Sequence, residues 1–216
     1  LVEATWLGHA CFALKGEKKT VVIDPFKGTG LPEPNVKADI VLCTHSHADH
    51  NNAKPVMKKD TIVLEGFVGS KKIDDITVKG VATFHDDAEG SSRGRNSIYV
   101  INLDGLTFCH MGDLGHDLTD THVKEIGEVD VLLTPIGGHF TIDAAAATKI
   151  IERIKPKITV PMHYRVAGMS QMFDVISGID NFLSGKPNVK KLEAPSFSVE
   201  KASLPSEPII IVPKLK

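Results

Sequence analysis

Apolar and polar positions alternate through most of the first half of the chain. Val2, Ala4 and Trp6 alternate with Glu3 and Thr5. Cys11-Phe12-Ala13-Leu14 and Thr20-Val21-Val22-Ile23 follow, across breaks at Gly8-His9 and Gly16-Glu17-Lys18-Lys19. This spacing predicts three short strands at hairpin distance. Asp24-Pro25-Phe26 ends the third, and residues 28–34 are loop by their glycine and proline content. The continuous apolar run Ile40-Val41-Leu42-Cys43 reads as a buried strand. Beyond it, Ala53 to Lys59 is expected to make a short helix and Thr61 to Leu64 a strand. Between 76 and 109 the pattern predicts four strands: Ile76–Val78, Val81–Phe84, Ser97–Ile101 and Leu106–Cys109. A hairpin turn is expected at Asn102-Leu103-Asp104-Gly105, because Asp-Gly tolerates positive φ.

The rhythm changes in the second half. Helices are predicted over Thr119–Ile126, over Asp143–Ile154 with Asp143 at its amino-terminal cap, and over Gln171–Leu183. Strands are predicted at Val129–Leu133, Ile158–Val160, Phe197–Val199 and Ile209–Val212. Lys18-Lys19, Lys58-Lys59 and Lys71-Lys72 read as charged turns. Strands in two blocks, with helices concentrated late, indicate two packed sheets covered by helices on their outer faces. The expected fold class is α/β, a four-layer αββα sandwich forming one domain over residues 1–216.

Candidate chemistry concentrates at the end of the Ile40–Cys43 run. Thr44-His45-Ser46-His47-Ala48-Asp49-His50-Asn51 places four metal-binding side chains in six positions. Imidazole and carboxylate are the ligands that zinc and similar divalent ions prefer. In an extended loop His45 and His47 project to one side. A helix starting near Asp49 would turn Asp49 and His50 elsewhere, so the loop can serve two ions or crowd one. A tetrahedral ion saturated by this loop alone would have no open position, which requires distant partners. His85, Asp113 and His163 each follow a predicted strand, the usual place for functional residues in layered folds. Together with the loop they make five histidines and two aspartates, a set that suits two ions with one carboxylate bridging.

Length, charge and cysteines narrow the rest. At 216 residues the chain can bury a substantial core but not two comfortable ones. With a formal net charge of −2, nothing global argues for nucleic acid or an anionic membrane as a partner. No apolar run is long enough to span a bilayer, and no basic stretch with an apolar core opens the chain as a secretion signal would. Cys11, Cys43 and Cys109 each lie in apolar runs, which fits reduced, buried thiols and a cytoplasmic location. Arg93 and Arg95 sit on a Gly/Ser-rich loop after His85. Such a loop is either a solvated hairpin tip or a carrier of guanidinium toward a substrate phosphate or carboxylate. Ile209–Val212 either closes its own sheet or pairs with a neighbour's edge, which leaves an oligomer open.

The segment His45-Ser46-His47-Ala48-Asp49-His50 resembles the HxHxDH signature of the metallo-β-lactamase superfamily. The resemblance extends in order through Ile23-Asp24-Pro25, His85, His110-Met111-Gly112-Asp113 and His163. Gly8-His9-Ala10-Cys11 and Gly137-Gly138-His139-Phe140-Thr141 look like the branch that contains ascorbate-6-phosphate lactonase and many prokaryotic relatives. The resemblance implies that His45, His47 and His85 hold one ion, that Asp49, His50 and His163 hold the other, and that Asp113 bridges them. It also implies that Asp24 stands behind the ligand loop, with His9 and His139 as candidates for touching substrate; His110 and His116 are left without a role. The metals implied are two divalent ions, zinc first, with manganese or iron as alternatives. The activity implied is hydrolysis of a small-molecule substrate, a lactone or phosphoester, by a bridging hydroxide, with Asp49 and Asp113 as the catalytic carboxylates. Two other readings fit the same residues: an iron-dependent oxidoreductase, and a metal-bound module that binds a ligand without turning it over.

Overall fold

The computed structural model describes residues 1–215. Fourteen strands form among the described residues, and they build two sheets. The first half supplies β1 (Val2–Gly8), β2 (Cys11–Lys15), β3 (Thr20–Ile23), β4 (Ala38–Cys43), β5 (Met57–Glu65), β6 (Gly69–Ile73), β7 (Ile76–Phe84), β8 (Arg95–Leu103) and β9 (Leu106–His110). The second half supplies α1 (Asp120–Ile126), β10 (Val131–Pro135), α2 (Ala144–Ile154), β11 (Ile158–Met162), α3 (Asp180–Leu183), β12 (Val189–Lys191), β13 (Ser196–Val199) and β14 (Ile209–Val212). The six-stranded sheet runs β13-β1-β2-β3-β4-β5, and the eight-stranded sheet runs β12-β14-β11-β10-β9-β8-β7-β6.

Period-two alternation sends the two faces of each strand to different cores. Phe12, Leu14, Val21, Ile23, Ile40 and Leu42 point into the cluster between the sheets, with Tyr99, Ile101 and Phe108 opposite. Their neighbours Cys11, Ala13, Val22, Val41 and Cys43 face the other way, into a second cluster. Burying a large apolar side chain stabilises by roughly 1.5–3 kcal/mol, so this pattern decides which strand face turns inward. The expected αββα sandwich is what forms, with unequal outer layers. α2 lays one stripe, Ala147, Ile150 and Ile154, on the larger core cluster, which takes in residues from both faces of the eight-stranded sheet. The outer face of the six-stranded sheet is instead covered by irregular chain carrying Phe26, Leu31, Met169, Phe173 and Ile176.

Several predicted elements change form. The helix over Ala53–Lys59 is a single 3₁₀ turn, Lys54–Val56 with Pro55 inside it, after which β5 starts at Met57. Lys58-Lys59 and Lys71-Lys72 therefore lie in strands, not turns. Ile76–Val78 and Val81–Phe84 are one strand, β7, uninterrupted by Gly80. The helix over Gln171–Leu183 reduces to a 3₁₀ turn at Gln171–Phe173 and the four residues of α3. Its apolar spacing is satisfied differently: Phe173 and Ile176 pack on the sheet, while Ser177 donates to Gly137 O and accepts from Arg165 N. No helix begins near Asp49; the chain makes a turn closed by His50 N–H to His47 O at 2.9 Å. β14 lies between β11 and β12 inside the larger sheet, so Ile209–Val212 closes its own sheet. Predicted caps and turns hold: Asp143 accepts from Ala146 N at 2.9 Å, and Asp104 and Gly105 both take positive φ between β8 and β9. No helix among the described residues is long and apolar enough to cross a membrane.

Strand direction places the site. In the smaller sheet β1, β3 and β4 run the same way, because β2 is antiparallel to both β1 and β3 while β3 and β4 are parallel. In the larger sheet β7, β9, β10 and β11 share a direction by the same parity. The carboxyl ends of these seven strands carry His9, Asp24, the 44–50 loop, His85, Asp113, Gly137 and His163. The two sheets stack so that these ends form a common rim.

Candidate metal centre

Asp113 stands at the middle of this rim, buried, and its Oδ2 is approached by four imidazoles. His50 Nε2 and His85 Nε2 are each 3.1 Å away, His163 Nε2 is 3.4 Å and His45 Nε2 is 3.8 Å. Around it, besides the buried trio of Asp24, His45 and His50, the potential donors fall into two groups whose atoms lie within 4.8 Å of one another. One is His45, His47 and His85; the other is His9, Asp49, His50 and His163. These match the expected partition of six of the seven predicted ligands, with His9 added to the second; Asp113, the expected bridge, belongs to neither group.

A hydrogen-bond chain behind the loop fixes which nitrogens face inward. Asp24, fully buried, accepts from Thr44 N–H at 2.7 Å, from the Thr44 hydroxyl at 2.7 Å and from His50 Nδ1 at 2.8 Å. The Thr44 hydroxyl, having given its proton to Asp24, accepts from His45 Nδ1 at 2.9 Å. Both histidines thus carry their proton on Nδ1, and their Nε2 lone pairs point at Asp113. Lone pair then faces lone pair. His45 Nε2, His50 Nε2 and Asp113 Oδ1 are buried and lack a hydrogen-bond partner. Buried polar groups are rarely left so, and a cation between them resolves the conflict. The donor set therefore fits divalent metal.

The electrostatics agree. Burial works against charge on Asp113, yet His163 and His50 outweigh it and hold its pKa well below the ordinary carboxylate range. Burial likewise opposes charge on His50, but the carboxylates of Asp113, Asp49 and Asp24 prevail and raise it well above the usual imidazole value. Two buried carboxylates, Asp24 and Asp113, and the half-buried Asp49 around one imidazole demand positive charge, which a proton or a metal ion can supply. His45, by contrast, is pushed down to about 3 by burial and by His50. It stays neutral and able to ligate.

His9 enters through its backbone and its ring. Its carbonyl accepts from Trp6 Nε1 at 3.0 Å and from His163 N at 3.1 Å, which ties β1 to the end of β11. Its ring lies 4.1 Å from that of His163, and Nε2 donates to Asp49 Oδ2 at 3.1 Å. Burial, then His163, lowers its pKa to about 4, so it remains a neutral donor that aims the Asp49 carboxylate. His9, Asp24 and His163 all adopt left-handed backbone, with φ of 51°, 49° and 51°. Positive φ is uncommon for non-glycine residues, and Asp and His are among those that adopt it most readily.

Other sequence candidates fall outside the cluster. His139 is exposed, packs on Phe140 and does not line the central cavity, so its expected contact with substrate is not supported. His110 is satisfied on both sides: Nε2 donates to Ala10 O at 2.8 Å and Nδ1 accepts from Gly112 N at 3.0 Å. His116 accepts from Phe84 N, and His122 closes a capping box with Thr119 on α1. Four further residues shape the site although the sequence assigned none of them a role. Asn96 accepts from Asp113 N at 3.0 Å and donates to Thr83 and Met111, which holds the Asp113 backbone in place. Gly137 passes so close to His163 that a Cβ there would sit 2.2 Å from its carbonyl oxygen. Phe140 and Phe173 line the cavity of about 260 Å³ that opens over the cluster beside His47, Asp49, His85, Asp113 and His163. Of these Gly137 and Phe140 carried a local signal, in Gly137-Gly138-His139-Phe140-Thr141; Asn96 and Phe173 look like ordinary strand and loop residues.

A two-sheet sandwich with histidines and aspartates gathered at one rim defines the class of metallo-β-lactamase-fold proteins. The profile of the Beta-lactamase superfamily domain matches residues 3–163, and the chain belongs to that superfamily. It is 33% identical to a protein of Pyrococcus furiosus named UPF0173 metal-dependent hydrolase, over 76% of this chain and 85% of that one. A namesake from Archaeoglobus fulgidus is 34% identical, with 76% and 83% covered. Among solved structures, a candidate zinc-dependent hydrolase of the metallo-β-lactamase superfamily from Thermotoga maritima superposes with a TM-score of 0.84 at 34% identity, covering 100% of both chains.

Proposed function

We propose that this protein is a metal-dependent hydrolase acting on a small-molecule ester, lactone or phosphoester. One observation carries the reading: the bare Nε2 atoms of His45 and His50 confront the Asp113 carboxylate in a buried site, with no hydrogen bond to reconcile them. His45, His47 and His85 would hold one ion, Asp49, His50 and His163 a second, and Asp113 would face both. Divalent cations bound there supply acidity to a water and polarise the electrophile.

The chain's own residues do the rest. Asp113 Oδ1, free of hydrogen bonds, would accept a proton from the attacking water. Asp49, aimed by His9, orients groups on the opposite side of the cluster. Asp24 and Thr44 keep His45 and His50 in the ligating tautomer throughout. No covalent nucleophile is required. His-rich donors favour zinc, while the carboxylates also suit manganese or iron. The test is elemental analysis of gently purified protein, followed by lactone and phosphodiester assays with the metal found. Stoichiometric metal with hydrolysis supports the reading; metal-loaded protein inert toward every ester tested, or consuming oxygen instead, refutes it.

A further inference from the structure

The loop between β7 and β8 is built around one carboxylate. Asp86 accepts backbone N–H groups from Ala88 at 2.8 Å, Gly90 at 2.8 Å, Ser92 at 3.0 Å and Arg93 at 2.7 Å. The base is closed by His85 N–H to Gly94 O at 3.0 Å, and the interior by Gly94 N–H to Gly90 O at 2.9 Å. Gly90 and Gly94 take the positive φ this path requires, 80° and 89°. A Cβ on Gly115 would meet the His85 carbonyl carbon and Asp86 nitrogen at 2.3 Å, so the loop is also pressed from outside. Arg93 is therefore held in fixed relation to His85, which approaches Asp113, by a preorganised loop rather than a floppy tip.

What the loop presents is a guanidinium without an acid. Arg153 pairs with Asp120 and Arg165 with Asp174. Among the described residues Arg93 forms no ion pair and its side chain makes no hydrogen bond. It lies over the Phe140 ring, 5.6 Å from the centroid, and lines the same cavity as His47, Asp49 and Asp113. Opposite stand Phe173, buried, and Met172, 59% exposed at the mouth. The cavity is thus charged at its floor, cationic at one edge and apolar along its wall. At about 260 Å³ it holds on the order of ten water-sized groups.

We propose that Arg93 is a substrate-recognition residue, and that the substrate is a small ester carrying a second, remote anionic group. That group pairs with the Arg93 guanidinium, a geometry suited to carboxylate or phosphate. A planar or apolar segment lies on Phe140 and Phe173 and delivers the ester bond to the cluster. This rests on the hydrolase reading above, but it is tested apart from turnover.

The experiment is calorimetric titration of metal-loaded protein with benzoate, phenylphosphonate and neutral benzamide, on wild type, Arg93→Met, Arg93→Lys and Arg95→Met. Wild type is expected to bind the anions in preference to benzamide, and the stronger anion identifies the recognised group. Arg93→Met should weaken anion binding by about tenfold to a hundredfold, Arg93→Lys should retain part of it, and Arg95→Met should match wild type. Thermal melts of each variant separate a folding defect from a binding one, and Arg93→Lys keeps the test alive if Arg93→Met is unstable. Anion binding that survives Arg93→Met but vanishes on metal removal places the anion on the cations and overturns the proposal, as does equal affinity for benzamide. Turnover of the lactone and phosphodiester model substrates by wild type is read separately: inertness toward all of them beside an intact Arg93-dependent preference sinks the hydrolase reading alone.

Discussion

Replacing Asp24 tests the chain of protons behind the ligand loop. In Asp24→Ala three buried donors lose their acceptor: Thr44 N–H, the Thr44 hydroxyl and His50 Nδ1–H. Each stranded donor costs about 1–3 kcal/mol. The three share one partner and their losses overlap, so a total of about 3–5 kcal/mol is expected, a large part of a typical domain's 5–15 kcal/mol. Alanine also tolerates the left-handed backbone at this position poorly. Asp24→Asn separates folding from ligation. Asparagine accepts this φ readily and retains one oxygen, but its amide presents N–H groups where His50 Nδ1–H needs an acceptor. His50 then moves its proton to Nε2, the atom that faces Asp113, and ceases to ligate. Loss of such an orienting partner typically costs tenfold to a hundredfold in metal affinity, about 1.4–2.7 kcal/mol. The assay is metal content after equilibration with chelators of graded strength, alongside melting of the metal-free protein. Asp24→Asn should lose metal while melting close to wild type, and Asp24→Ala should lose both. An Asp24→Asn protein that holds metal as tightly as wild type would show that the tautomer assignment is wrong.

Four further outcomes are expected. His47→Ala should remove a ligand at the half-open side of the cluster and abolish turnover; full metal and full rate together in this variant would dismantle the ligand set. Gly137→Ala should push a methyl into the His163 carbonyl 2.2 Å away, and lower both melting temperature and metal content, with Gly178→Ala as a comparison where the backbone has no positive φ and the nearest atom lies 3.9 Å away. Asp86 is held down to about 2, chiefly by the Arg93 N–H and then by those of Ala88, Gly90 and Ser92. A depressed carboxylate stabilises above its unfolded value near 3.8 and loses that contribution as pH falls through 2. Hydrogen exchange at these amides should therefore be protected above about pH 4 and should quicken toward pH 2; protection that is flat across this window contradicts the loop's design. Asn96→Ala should free the Asp113 backbone N–H and leave Thr83 and Met111 without their donor, costing about 2–4 kcal/mol on a melt; no change would mean that Asp113 is held by other means.

Local rules in the chain specified most of the parts. Alternation of apolar residues in β1, and continuous apolar runs in β2 to β4, marked strands with one buried face or two, because strand periodicity is a property of neighbouring residues. Asp143 and Asp104-Gly105 announced a cap and a turn for the same reason. The ligand residues were legible because metal chemistry restricts side-chain type, and because each stood just past an apolar run. Where local reading failed, a distant partner had decided. Residues 171–183 carry helical spacing, yet Phe173 and Ile176 spend their apolar surface on the outer face of a sheet formed over a hundred residues earlier. Lys71 and Lys72 look like a turn until β7 pairs with them.

Only the stacked sheets decide that the carboxyl ends of β1, β3, β4, β7, β9, β10 and β11 meet at one rim. That convergence follows from strand parity summed over both sheets, which no short window contains. The same holds for the contacts that give the centre its character: His9 on Asp49, Asn96 on Asp113, Gly137 beneath His163, and Arg93 beside Phe140. Each joins residues far apart in the chain, and hydrogen-bonding groups and cavities acquire meaning only from what lies opposite. The identity of the donors was written along the chain; their tautomers, their orientation and the shape of the space above them belong to the folded molecule.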